Sequence, residues 1–182
     1  SKWPENIPNE FEDIPPPKID GDALRISFIG HATFLLQTEG LNIITDPVFA
    51  KRAAFAGIIG PKRISKPGTI IEKLPKIDIV LVSHNHYDHM DLAALSYLAK
   101  RDNPLIILPV GNEKTMAKIS NNVVFLSWGQ SHKNISFEPA QHWSSRTPFD
   151  RNKSLWGTFI IKTNSGNICF IGDTGYDETI FK

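Results

Sequence analysis

A chain of 182 residues, 41% hydrophobic and 21% charged, has the length and apolar content of one globular domain with a sizeable core. Twenty basic against nineteen acidic residues leave a formal net charge of +1, which argues against a broad nucleic-acid-binding face. Its longest apolar stretches, such as 105–110, fall far short of the roughly 20 residues of a membrane-spanning helix, and a single cysteine excludes an intrachain disulfide.

Residues 1–22 are rich in proline, with Pro15-Pro16-Pro17 in succession, and predict an extended arm lying over a domain formed by residues 23–182. Alternating or apolar runs at 24–29, 33–37 and 42–45, the last two separated by the turn signal Glu39-Gly40, predict an opening antiparallel sheet. In the loop 51–63, apolar residues alternate in blocks with cations. Lys51, Arg52, Lys62 and Arg63 could meet lipid phosphates while Phe55, Ile58 and Ile59 enter acyl chains; equally, the apolar residues could pack against the domain with the charges in solvent. Ile79-Val80-Leu81-Val82 predicts a strand, and 91–100 a helix with Asp91 as N-cap. A second strand and helix, 105–108 and 113–119, lead to strands at 123–127, 134–137, 157–163 and 167–171, the last pair bracketing the hairpin signal Asn164-Ser165-Gly166. Cys169, in the final strand, is expected to be a small buried side chain. Strand clusters with interspersed helices point to a layered α/β domain without internal repeats.

Between the strand at 79–82 and the helix lies Ser83-His84-Asn85-His86-Tyr87-Asp88-His89-Met90-Asp91, which places three imidazoles and a carboxylate within six residues. Imidazole nitrogen and carboxylate oxygen are the usual ligands of a catalytic zinc, and in extended backbone His84 and His86 point to the same side. A chance cluster of surface histidines is improbable in a chain with six. Two further donors follow strand-like runs, His142 and Asp173. Each alone would read as a hydrogen-bonded histidine and a turn former beside glycine; beside the first motif they supply a third imidazole and a carboxylate able to bridge two cations. Asp46 either accepts the second N–H of a ligand imidazole or ends its strand as an Asp-Pro turn. His31 is expected in the core or supporting a ligand from behind, His132 on a hairpin surface, and Trp128, Trp143 and Trp156 in packing roles.

The pattern His84-x-His86-x-Asp88-His89, with the later His142 and Asp173, resembles the metallo-β-lactamase superfamily. Gly30-His31-Ala32-Thr33-Phe34, Thr45-Asp46-Pro47-Val48-Phe49, Gly60-Pro61-Lys62-Arg63, Gln141-His142-Trp143 and Asn152-Lys153-Ser154-Leu155-Trp156-Gly157 resemble its branch of N-acylphosphatidylethanolamine-hydrolysing phospholipases D and their bacterial relatives, from about residue 26 onward. The resemblance implies an α/β fold, the metallo-β-lactamase-like αββα sandwich, with a dinuclear zinc site on one edge. His84, His86 and His142 would hold the first zinc, Asp88 and His89 the second, and Asp173 would bridge them. A further histidine ligand is implied well beyond Asp173; none follows His142, so the C-terminal portion of the pattern is expected to be missing.

The implied activity is zinc-dependent hydrolysis by a metal-bound hydroxide, on a phosphodiester such as an N-acylphosphatidylethanolamine-like phospholipid. Asp88 and Asp173 would serve as catalytic carboxylates that orient the nucleophile and accept its proton. A lactone, β-lactam or thioester hydrolase, or a non-catalytic metal-binding domain with an incomplete site, stays open. A small-molecule or phospholipid substrate is the expected partner, with peripheral membrane contact through 51–63. Disulfide-free composition suits the cytosol, although a start at Ser1 leaves room for a targeting segment removed earlier.

Overall fold

The computed structural model describes residues 7–9, 12–53 and 60–180. Strands β1 (Arg25–Gly30), β2 (Thr33–Thr38), β3 (Leu41–Thr45), β4 (Ile79–Leu81), β5 (Leu105–Pro109) and β6 (Val123–Leu126) form one sheet in that order. The first three pair antiparallel, because Glu39 and Gly40, at φ 51° and 71°, close a tight hairpin. From β3 onward the pairs are parallel, with α1 (Leu92–Asp102) and α2 (Glu113–Met116) in the connections after β4 and β5. A second, antiparallel sheet has the order β10-β9-β8-β7, from β7 (Gln130–His132), β8 (Ile135–Glu138), β9 (Thr158–Thr163) and β10 (Gly166–Phe170). Strand β7 carries no apolar alternation; it exists through its pairing with β8 across a turn in which Lys133 takes φ 52°. Helix α2 is a turn shorter than 113–119.

Period-two alternation assigns the two faces of the first sheet. Leu35, Ile44, Val80, Val82, Ile106 and Leu108 turn toward Leu95 and Leu98 of α1 and Met116 of α2. Their sequence neighbours Leu36, Ile43, Leu81 and Ile107 turn the other way, against Ile135, Phe137, Phe159 and Ile161 of the second sheet. The described residues therefore stack helix, sheet and sheet. Phe137 and Phe159 are fully buried with ring centroids 4.9 Å apart, a pair worth about 1 kcal/mol beyond its area. Cys169, expected inside, is exposed: its neighbours Ile168 and Phe170 take the inward positions of β10, so the strand's alternation turns the thiol out.

Helix α1 starts where Asp91 Oδ1 accepts the N–H groups of Ala93 and Ala94, a cap worth about 1 kcal/mol. Its other oxygen accepts the N–H groups of Phe49 and Ala50, so one carboxylate ties the helix start to the chain beyond β3. The prolines at 16 and 17 run beside the first sheet: buried Gln37 donates to Pro16 O, and buried Asn42 to Pro17 O, at 2.8 Å each. Among the described residues no helix is long and apolar enough to cross a membrane.

Candidate metal centre

Parallel strands end on the same edge, and the carboxyl ends of β3 and β4 bring Asp46 beside Ser83. Asp46 is fully buried and sits at φ 32°, a left-handed conformation uncommon outside glycine. Its Oδ1 accepts the Ser83 N–H at 2.7 Å; its Oδ2 accepts the Ser83 hydroxyl at 2.6 Å and His89 Nδ1–H at 2.5 Å. Because Ser83 Oγ gives its proton to Asp46, it receives one from His84 Nδ1, 2.9 Å away. A single carboxylate thus fixes the tautomers of two histidines, leaving each Nε2 facing outward. Of the two roles open to Asp46, the fold shows it accepting a histidine N–H at the end of its strand.

Three imidazoles converge in a first group. His84 Nε2 lies 2.8 Å from His86 Nδ1, and His142 Nε2 lies 3.2 Å from both. A neutral imidazole nitrogen offers either one proton or one lone pair, so no pattern of protons satisfies three nitrogens at these distances; a cation accepting three lone pairs does. Burial and the rings of His89, His86 and His142 push His84 down to about 2, and burial likewise lowers His86 and His142. These rings are therefore neutral near neutral pH, each with one nitrogen lone pair available.

A second group holds Asp88, His89 and His31. His89 is fully buried, and its Nε2 lies 3.2 Å from Asp173 Oδ1 and 3.8 Å from Asp88 Oδ2. Burial opposes a charge on His89, but hydrogen bonds to Asp173 and Asp46 raise it to about 10. The same hydrogen bond holds Asp173 at about 2; Asp88, despite its burial, is lowered by the hydrogen bond from His31 and the charge of His89. Burial raises Asp46, and the donors His89 and Ser83 work against that rise. With no cation present the proton of this pair belongs to His89, which faces carboxylates on both sides. Asp173 also approaches the first group, Oδ2 standing 3.8 Å from His142 Nε2. It is placed there by Gly172, at φ 66°, and by the bridge between Gln141 and Gly175.

All six side chains expected as ligands, His84, His86, Asp88, His89, His142 and Asp173, are thus gathered on one edge. His31, expected in the core or behind a ligand, is half exposed and in the second group itself, because the β1–β2 turn carries it over the edge. His132 lies in β7, outside both groups.

Two further residues escaped the sequence reading. Arg146 donates from Nη1 to Asn85 O and Met90 O at 3.0 and 2.8 Å and lies over the Tyr87 ring at 4.3 Å, clamping the histidine loop from the 144–150 segment. Trp143, assigned to packing, stands 4.2 Å from the His86 ring, is 39% exposed and carries Arg151 over its face. A cavity of about 620 Å³ opens here, lined by His86, Asp88, Trp143, Arg146, Ala53 and Pro61. A neighbouring one of about 420 Å³ is lined by His31, Asp88, Ala53, Pro61, Lys62 and Arg63. Residues 51–53 and 61–63 pair back to back between the cavities, through the bridge of Arg52 with Lys62 and the bond Arg63 N–H to Lys51 O. Phe55, Ile58 and Ile59 of this loop lie outside the described residues.

Residues 41–181 match the sequence model of the beta-lactamase superfamily domain. Over 165 residues the chain is 41% identical to the mitochondrial N-acyl-phosphatidylethanolamine-hydrolyzing phospholipase D of Saccharomyces cerevisiae, covering 85% of this chain and 35% of the yeast protein. Over 172 residues it is 38% identical to N-acyl-phosphatidylethanolamine-hydrolyzing phospholipase D 1 of Caenorhabditis elegans, covering 86% of this chain and 48% of the nematode protein. The chain therefore spans about a third to a half of the length of these relatives. In three dimensions it is similar to Igni18, a metallo hydrolase of Ignicoccus hospitalis, with a TM-score of 0.64 at 20% identity over 85% of this chain and 63% of that one. A possible metal-dependent hydrolase of Veillonella parvula gives 0.66 at 15% identity, over 88% and 66%. At such identities these two likenesses speak to the fold.

Proposed function

This chain belongs to the beta-lactamase superfamily, and from that premise we propose that it is a metal-dependent hydrolase acting on a phosphodiester of the N-acylphosphatidylethanolamine type. The carrying observation is the convergence of imidazoles and carboxylates on one sheet edge, beside cavities that combine apolar walls with cations. In this reading His84, His86 and His142 hold one cation, His89 and Asp88 a second, and Asp173 reaches both; three imidazoles suit zinc. Divalent cations bound there would supply an acidified water and polarise the phosphoryl oxygen.

The rest falls to the chain itself. Asp88, which lines both cavities, and Asp173, partly exposed beside His89, orient the attacking water and take its proton. Arg63 gives its guanidinium protons to Val48 O and Ala50 O, so its charge is held in place without a carboxylate hydrogen bond and stands, with Lys62, ready for a phosphate. Trp143, Ala53 and Pro61 supply the apolar wall against which an acyl chain can lie. Contact with a lipid surface through 51–63 belongs to the same reading. The test is release of N-acylethanolamine from vesicles containing N-acylphosphatidylethanolamine, beside a panel of lactone, β-lactam and thioester substrates, each with and without chelator. Chelator-sensitive release from the phospholipid is expected. Turnover of a panel member in its place would transfer the site to another hydrolytic reaction, and a metal-loaded protein inert to all of them would end the hydrolase reading.

A further inference from the structure

We propose that His31 is itself a donor to the second cation position, where it joins His89, Asp88 and Asp173. The proposal rests on the hydrolase reading above and adds to it a ligand that the spacing of the histidine loop does not contain.

The atoms come first. His31 Nε2 lies 3.1 Å from His89 Nε2 and 3.2 Å from Asp88 Oδ2, while Asp173 Oδ1 lies 3.2 Å from His89 Nε2. The ring nitrogens of His31 and His89 and a carboxylate oxygen of Asp88 thus share a small space, with Asp173 Oδ1 in reach of His89 Nε2. His89 gives its Nδ1 proton to Asp46, so Nε2 is the atom it turns toward this space. In the metal-free protein each Nε2 can give a proton to a carboxylate, His31 to Asp88 and His89 to Asp173, but this sets two like donors 3.1 Å apart. A divalent cation would take the lone pairs of His31, His89 and Asp88, whose donor atoms lie within 4.8 Å of one another, with Asp173 Oδ1 reaching His89 Nε2 beside them; nitrogen and carboxylate oxygen together suit such an ion.

The backbone argues in the same direction. His31 sits at φ 51°, in the left-handed region that costs a residue with a Cβ about 1 kcal/mol, and a histidine is held there against a local preference for glycine or asparagine. The pairing of β1 with β2 slips between Phe28 and Gly30, immediately before it, and a bulge at a strand end is a device for re-aiming a side chain. Strain and bulge together bring the ring over the sheet edge, where the cavity of about 420 Å³ leaves the position open on one side. A histidine needed for packing alone would not be 48% exposed in its side chain.

Cobalt titration of the metal-free protein, read by visible absorbance and by elemental stoichiometry, tests this on the intact chain. The unmodified protein is expected to take two equivalents. His31→Asn, chosen because asparagine tolerates the same φ, should keep the first and bind the second at least about tenfold more weakly, as loss of even an indirect ligand support does. His132→Asn, outside the site, should leave both unchanged. A parallel measurement needs no variant: the imidazole nitrogen shifts of His31 in the unmodified protein should move when the second equivalent of zinc is added. Unchanged affinities in His31→Asn, or His31 nitrogens that ignore the second equivalent, would overturn the assignment. One equivalent in the unmodified protein would overturn it too while leaving the first group and the hydrolase reading standing; no equivalents would remove both.

Discussion

Replacing Asp46 by asparagine changes one atom and should weaken both cation positions at once. Asparagine is the residue that best tolerates φ 32°, so the backbone stays, and the carboxamide oxygen can still accept the Ser83 N–H. The amide nitrogen then replaces Oδ2, which at present accepts from both His89 Nδ1 and Ser83 Oγ. A donor now faces His89 Nδ1, so that ring must carry its proton on Nε2, the atom directed at Asp173. Ser83 Oγ, receiving a proton from the amide, turns its own toward His84 Nδ1 and drives that tautomer over as well. Loss of such support costs about 10–100-fold in cation affinity, roughly 1.4–2.7 kcal/mol at each position. Folding stability should move less. Charge-assisted hydrogen bonds worth about 1.5–3 kcal/mol are lost, while a fully buried carboxylate no longer has to be desolvated. Isothermal titration with zinc, beside urea unfolding of the metal-free protein, separates the two effects. Affinities within threefold of the unmodified protein at both positions would refute the tautomer argument.

Gly172→Ala places a Cβ 2.7 Å from Ser83 Cβ at φ 66°, so about 1–3 kcal/mol of stability should be lost together with cation affinity, since Asp173 is the next residue; an unchanged urea midpoint would show that the Ser83 contact gives way freely. The metal-free protein should be most stable near pH 6.5. His84, held at about 2 when folded, makes the unfolded state the better proton binder as pH falls below about 6.5, whereas His89, raised to about 10, contributes stability that is present below about 6.5 and drains away as pH rises toward 10. Each side should fall by about 1.4 kcal/mol per pH unit from the buried histidine alone, measured as urea midpoints between pH 5 and 9; a flat profile would refute it, and cation loading should remove the alkaline arm.

Sequence was most informative where local spacing and tertiary placement coincide. His84, His86, Asp88 and His89 lie in one loop, so their convergence follows from a single turn, and the strand and helix on either side are legible from apolar periodicity and from Asp91. Asp46 was half legible: its place at a strand end is local, but its acceptor role depends on β3 and β4 being parallel neighbours. His31 lies outside the core, one of the two places expected for it, because nothing local announces a left-handed residue outside glycine, and its partners Asp88 and His89 are far along the chain. Arg146 and Trp143 belong to an irregular loop ordered by side-chain bonds of Asp150, Asn152 and Ser144 and by the histidine loop it touches, none of which has a sequence period. Strand β7, all polar, and Cys169, one position out of phase in an apolar run, show the limit of period-two reading at a sheet's margin.

The division of the donors between the two sheets also bears on the lifetime of the chain. Each sheet joins only strands that are consecutive in sequence, so no strand of one is interleaved with those of the other. His84, His86, Asp88 and His89 travel with the first sheet, whereas His142 and Asp173 follow β8 and β10 of the second. A cation held by both halves therefore clasps the layers that enclose Leu36, Ile43, Leu81, Phe137 and Phe159, adding about 2.7 kcal/mol when free cation stands a hundredfold above its dissociation constant. Starved of metal, the halves part more often and bare these faces to proteases and to one another. On that reading, cation supply would govern how much of the protein persists.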